Sequence, residues 1–214
     1  MGRAIGAVGK NHAAKRLELL ARLTTRLTEA EAMHASYREL AASAGVSLST
    51  LQHYFGKRDD IVAAVLQQAH QDAAPYIAAL ATPQATLDAT VHLALAQLNL
   101  GFTAFGVGAI HALALVEGLR NAVIGPVTVD AVLEPSIAAL ATSLAGHQQR
   151  GEMRPDIAPR HAAIMLIAPP LLLLLHQHEL GGARDHPVEI DAFLTAHAST
   201  FLRAHAATPA TSGD

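Results

Sequence analysis

Between Ser36 and Arg58, helix start and stop signals stand so close together that only two very short helices fit. Ser36-Tyr37-Arg38-Glu39 has the form of a capping box, in which a hydroxyl accepts the third amide and a Glu reaches back to the cap. The helix it opens runs through Leu40 and Ala41 to Ala44, and Gly45 suits the left-handed backbone of a C-terminal stop. Only Val46 separates Gly45 from Ser47, a new N-cap, and a second helix from Leu48 to Phe55 ends at Gly56. Two helices joined so tightly cross at close range. Ala41 permits the approach, Val46 and Leu51 fill the wedge, and Phe55 anchors the second helix on its neighbours. This is the helix-turn-helix arrangement, which can place its second helix in the major groove of DNA.

The residues on that second helix suit the task. Ser47, Leu48, Ser49, Thr50, Gln52, His53 and Tyr54 are short or hydrogen-bonding. Gln pairs bidentately with adenine, and Thr and Leu methyls contact the thymine methyl. Lys57 and Arg58 follow, placed to meet phosphates. Ser36 and Arg38 open the preceding helix, whose N-terminal amides suit a phosphate oxygen. Each alone would read as solvated surface; together they point to double-stranded DNA. Charge agrees. The chain is −3 overall, but residues 1–60 carry nine Lys/Arg against six Asp/Glu, and the remainder carries six against twelve. A polyanion partner is expected for the small end only.

The rest of the chain reads as helices. Ala and Leu are abundant and only 4% of residues are aromatic, so an all-α fold is expected. There is no Cys, which excludes a disulfide framework, Cys-ligated zinc and a thiol nucleophile. No HExxH or carboxylate cluster accompanies the thirteen His, so neither metal nor cofactor is expected. A nucleophile–base pair and a Gly-rich phosphate loop are also missing, which disfavours a helical enzyme. No secretion signal is read at the start. The apolar run Ile164–Leu175 is too short to span a bilayer, and polar residues interrupt Val91–Val116, so a cytoplasmic protein without membrane spans is expected.

Apolar spacing predicts a first helix from Lys15 to Leu27, with Leu17, Leu20, Leu23 and Leu27 on one face. A fourth helix runs from Arg58 to His70 or beyond, with Pro75 and Pro83 as bends or breaks. Three or four helices follow over 84–150. After a loop at Gly151–Pro155, a very apolar helix reaches Glu179, bent at Pro169-Pro170. The last helix spans Glu189 to Ala206. The expected division is a DNA-binding domain at 1–57, a helical domain at 58–206 and a disordered tail at 207–214.

Leu40-Ala41-Ala42-Ser43-Ala44-Gly45-Val46-Ser47, Thr50-Leu51-Gln52-His53-Tyr54-Phe55 and Arg58-Asp59-Asp60-Ile61 together resemble the signature of the tetracycline-repressor (TetR) family. The resemblance covers about residues 16–66; beyond them it extends only to architecture. It implies a cytoplasmic homodimer of about nine helices, the first three binding a near-palindromic operator and the fourth leading to a ligand-binding domain. It places Thr50, His53 and Tyr54 at base or phosphate contacts and Arg58 where a phosphate-binding Lys is frequent. Gln52 departs from the usual Tyr, and the Gly common near Glu31 is missing. A small, largely apolar effector that releases a repressor is the function so implied. For the effector pocket the candidates are His92, Asn99, Phe102, Phe105, His111, Leu113, Met165 and His176, with Glu117 beside them. The stripe Ile190, Phe193, Leu194, His197 and Phe201 fits a dimer seam formed by the last two helices.

Overall fold

The computed structural model describes residues 5–29 and 34–207, with side chains from residue 11 onward. The position near Glu31 and the tail from 208 lie outside the described residues. Within them the protein is all-helical, with one isolated bridging pair, Met153 and Ala206, in place of any strand. The helices are α1 (Ile5–Thr28), α2 (Tyr37–Ala44), α3 (Leu48–Phe55), α4 (Arg58–Ala81), α5 (Leu87–Ala104), α6 (Val107–Gly118), α7 (Ile124–Gln149), α8 (Pro159–Glu179) and α9 (Ile190–His205), with a short helical turn at Gly182–Asp185.

Several expectations change. α1 begins ten residues early, and its buried face is Leu19, Leu20, Leu23 and Leu27, while Leu17 is exposed. Pro75 sits inside an unbroken α4, whereas Pro83 lies in the gap after it. Ala158 stands at the N-terminal boundary of α8 without a side-chain cap, and Pro159 opens the helix, where a missing amide costs nothing. Its apolar run is longer than the sequence suggested. α7 and α8, of 26 and 21 residues, are both long and apolar enough to cross a membrane by length and composition. The Val91–Val116 stretch, by contrast, is broken at Phe105-Gly106, where Gly106 adopts φ 64°. α7 and α8 each contain a π-helical stretch, at Val129–Leu133 and Leu175–Glu179.

The chain forms two compact units. The first comprises residues up to Gln71 together with Ala109–Ala131. Its buried side chains include Leu19, Leu23, Leu40, Leu51, Phe55, Ile61, Val65, Leu113 and Ile124. The second comprises Asp72–Gly108 and the chain from Val132 on. Its core joins Leu87, Val91 and Leu95 of α5, Leu140 and Leu144 of α7, Ala162, Ala163 and Leu166 of α8, and Leu194, Ala198 and Phe201 of α9.

One buried polar network ties the second unit together. His147 is fully buried; its Nδ1 lies 2.7 Å from Glu152 Oε2 and its Nε2 lies 2.7 Å from Thr90 Oγ1. Arg150 Nη2 lies 2.8 Å from the same Nδ1. Glu152 also accepts the Leu87 amide and the Arg150 guanidinium, so it caps α5 from the loop after α7. These hydrogen bonds, that of His147 foremost, hold the Glu152 carboxyl below its ordinary value. A depressed carboxylate stabilises the fold above the unfolded-state value of about 4.3 and loses that contribution as pH falls through the folded value. We therefore expect Glu152→Gln to lower the melting temperature at pH 7, and the gap to wild type to narrow progressively below about pH 4. Thermal melts between pH 3 and 8 check this.

Candidate nucleic-acid interface

Each signal in the helix-turn-helix acts locally as its chemistry requires. Ser36 Oγ accepts the Glu39 amide at 3.3 Å, and Glu39 accepts the Ser36 amide at 2.7 Å, a closed capping box. At the other end of α2, Gly45 stands at φ 68°, and the Val46 amide returns to the Ala41 carbonyl at 3.1 Å. Arg22 of α1 takes up the Ala44 carbonyl at 3.0 Å, so α1 completes the stop of α2. Ser47 Oγ accepts the Thr50 amide and lies 2.9 Å from Ser49 Oγ and 2.8 Å from Thr50 Oγ1. Three hydroxyls and the free amides of the first turn of α3 thus share one end of that helix.

The turn out of α3 is fixed from both sides. The Tyr37 hydroxyl donates to the Gly56 carbonyl at 2.8 Å, and Asp60 accepts the Lys57 amide at 2.7 Å. Burial, with Asp60 adding to it, pushes the Tyr37 phenol up and keeps it a donor. Gly56 is required twice over. Its φ is 83°, and a Cβ there would stand 2.5 Å from Asp60 Oδ2.

Leu51 and Phe55 point inward, and the opposite side of α3 faces solvent. Ser47, Leu48, Ser49, Gln52, His53 and Lys57 are exposed, and Thr50 and Tyr54 are half-buried. Ser36 and Arg38 are exposed at the start of α2. Ten of the eleven expected DNA-facing residues therefore lie on or near the surface with donors or methyls available. The eleventh, Arg58, requires a correction. Its Nε donates to the Ala35 carbonyl at 3.0 Å, and its guanidinium meets the two Glu117 oxygens at 3.0 and 2.6 Å. The hydrogen bonds to Glu117 raise the Arg58 pKa above its ordinary value. A bidentate partner already occupies the fork that was assigned to a phosphate. Beside it Asn121 donates to Asp59 at 2.8 Å.

Sequence reasoning missed two residues here. Glu117, read as a pocket polar, is the partner of Arg58, and no local pattern links positions so far apart. His12 lies in the part of α1 that apolar spacing did not reveal; its ring stacks on Tyr54, with centroids 4.6 Å apart.

The expected pocket residues differ in their placement. His92 is exposed beside Asp88, and Phe105 and Met165 are also exposed, so these three are withdrawn as pocket lining. Phe102 is buried near His178, and Leu113 is fully buried, as core packing requires. His111 is half-buried. His176 Nδ1 meets the Gln177 amide at 2.8 Å. Asn99 lines an open groove with Thr103 and residues 188–191, and its Oδ1 is buried without a partner. Among the described residues no three His, Asp or Glu gather closely enough to hold a metal ion.

The expected dimer stripe is corrected too. Leu194 and Phe201 belong to the core of the second unit, Ile190 and Phe193 pack against it, and His197 Nε2 meets the Leu166 carbonyl at 3.0 Å. The outward apolar residues are instead Ile164, Met165 and Leu172 of α8. The spacing was right for an apolar face, but that face is satisfied within the chain.

No family model and no curated protein sequence matches the chain. Solved structures do. A putative TetR-family regulator from Mesorhizobium loti superposes with a TM-score of 0.72 at 17% identity, over 91% of this chain and 98% of that one. Salmonella enterica GusR gives 0.67 at 19% identity, over 89% and 96%. SmeT, the repressor of the Stenotrophomonas maltophilia multidrug efflux pump SmeDEF, gives 0.64 at 17%, over 93% and 96%, and it has also been solved with triclosan. At these identities the likeness is one of fold along nearly the whole chain.

The ion pair and the exposed lysine should separate cleanly on mutation. Arg58→Ala leaves a nearly buried carboxylate unpaired and is expected to cost about 2–3 kcal/mol of stability. Lys57→Ala should stay within about 0.5 kcal/mol. Chemical denaturation of the two variants measures both.

Proposed function

We propose that this chain, which has the fold of TetR-family transcriptional regulators, is a DNA-binding regulator of that family: a cytoplasmic homodimeric repressor that a small, largely apolar effector releases from its operator. The observation that carries the reading is the outward face of α3. Gln52 and His53 present hydrogen-bonding groups to solvent on a helix whose inner face, Leu51 and Phe55, is locked into the first unit. A helix so held, with hydroxyls at its N-terminal end and Lys57 beyond its C-terminal end, matches major-groove reading between phosphate contacts.

A single α3 offers few base contacts, so two copies on a near-palindromic site supply the specificity. The second copy is proposed to cover α8. Ile164, Met165 and Leu172 are 38%, 56% and 67% exposed, a cost in water that a partner removes. On α9 the outward residues Ala192, Ala196 and Ser199 are small and allow close approach. The same surface could meet lipid, given the length of α7 and α8. The whole-length likeness to regulators favours a protein partner.

For effector response, α6 is the natural transmitter. Its first two residues belong to the second unit, and Glu117 near its other end grips Arg58 at the start of α4. A shift of α6 that an effector stabilises would pull on α4 and reset the angle of the reading helix. Only an effector with different affinity for the two arrangements does this. The chain's low charged content, 15%, supports an apolar effector. SmeT's complex with triclosan is a property of that protein.

Selection from a random duplex pool tests the DNA reading. The protein is expected to enrich a near-palindromic sequence, to bind it with affinity that falls steeply with salt, and to lose base preference at one position per half-site in Gln52→Ala, a cost of about 1–3 kcal/mol. Enrichment of nothing overturns the reading. Sedimentation without detergent should give a two-chain particle, and Met165→Glu together with Leu172→Glu should split it into single chains; a need for detergent would favour the lipid alternative.

A further inference from the structure

The first unit carries an aromatic cluster that core packing does not require. His12 of α1 is exposed, yet its ring lies nearly parallel to Tyr54, with centroids 4.6 Å apart and planes inclined by 22°. His53 meets both rings edge-on, at 5.7 Å from His12 and 5.4 Å from Tyr54. One turn further along α1, Arg16 lies over Phe55 at 4.9 Å. Successive turns of α1 thus hold successive rings at the C-terminal end of α3, one at the surface and one in the core.

A tyrosine near the end of an exposed helix has more than one rotamer open to it. Stacking removes that choice, because offset parallel rings at this separation attract and exclude water from one face. His53, edge-on to both stacked rings, is restrained by the same cluster.

We propose that His12 is a positioning residue of the DNA-reading surface: by stacking on Tyr54 it fixes Tyr54 and His53 in the orientation that meets the nucleic acid. This makes the early part of α1, and not α2 and α3 alone, a component of the recognition element. The inference rests on the DNA-binding reading above. The contact concerns orientation and not burial, since His12 remains open to solvent. Its loss should change binding far more than stability.

Two substitutions test it on the duplex that the wild-type protein selects. His12→Ala removes the stack and should weaken binding by about three- to tenfold, the fold-change that one aromatic pair supports. His12→Phe keeps a stacking ring without the imidazole and should bind within about twofold of wild type. Both variants should melt close to wild type. Binding by His12→Ala equal to wild type overturns the proposal, as does equal weakening in both variants, which would assign the effect to the imidazole and not to the stack. If the wild-type protein selects no duplex at all, the DNA reading itself falls and this inference with it. A result confined to His12→Ala leaves the DNA reading intact.

Discussion

A guanidinium partly withdrawn from water needs partners on its covered side, and Arg58 has them because three distant stretches of chain converge on it. The Ala35 carbonyl precedes α2, Arg58 itself opens α4, and Glu117 ends α6. Removing water from a charge costs several kcal/mol, and only full pairing offsets it. With Glu117 in place the start of α4 is pinned to the end of α6. α3 ends three residues before this point. Whatever its partner on the outside, the angle of α3 is set from the inside by this pair, by the Tyr37 hydroxyl on Gly56, and by Asp60 on the Lys57 amide.

The helix-turn-helix was legible because its determinants are local. A Ser–Glu capping box, a Gly at positive φ and a second Ser cap each act within four residues, and each was found making the bond that its chemistry predicts. The outward residues of α3 followed by elimination once Leu51 and Phe55 were assigned to the core. The same local logic misplaced Arg58. Position in a motif specifies where a long side chain starts, not which of two partners it reaches, and Glu117 lies 59 residues further on. The start of α1 was hidden for a different reason. Its first turns carry no apolar stripe, so periodicity had nothing to register there.

The C-terminal half was legible as helix but not as surface. Apolar stripes on α8 and α9 say that a face is covered, not by what. The stripe Ile190, Phe193, Leu194, Phe201 turned out to complete the chain's own core with α5 and α8. The pocket candidates failed on similar grounds: His92, Phe105 and Met165 were chosen by residue type, and type does not specify direction on a helix that is apolar on most sides.

That failure carries information about α8. Its inner face, Ala162, Ala163, Leu166, Pro170 and Leu174, is buried, and its outer face, Ile164, Met165, Ala168 and Leu172, is nearly as apolar yet exposed. A helix apolar all round is suited to burial on both sides, in a protein core or in lipid. Polar groups decide between the two. His147 near the end of α7 forms a hydrogen-bonded network with Arg150 and Glu152 of the following loop, and Arg160 in the first turn of α8 pairs with Glu134 within α7. Glu134 lies near the middle of α7, at residue 134 of 124–149, where a bilayer would have to accommodate an ion pair. A charge pair at that depth is far cheaper beside water than in hydrocarbon. The pair thus weighs against burying this length of α7 in hydrocarbon, and it leaves the outer face of α8 as an apolar surface open to solvent.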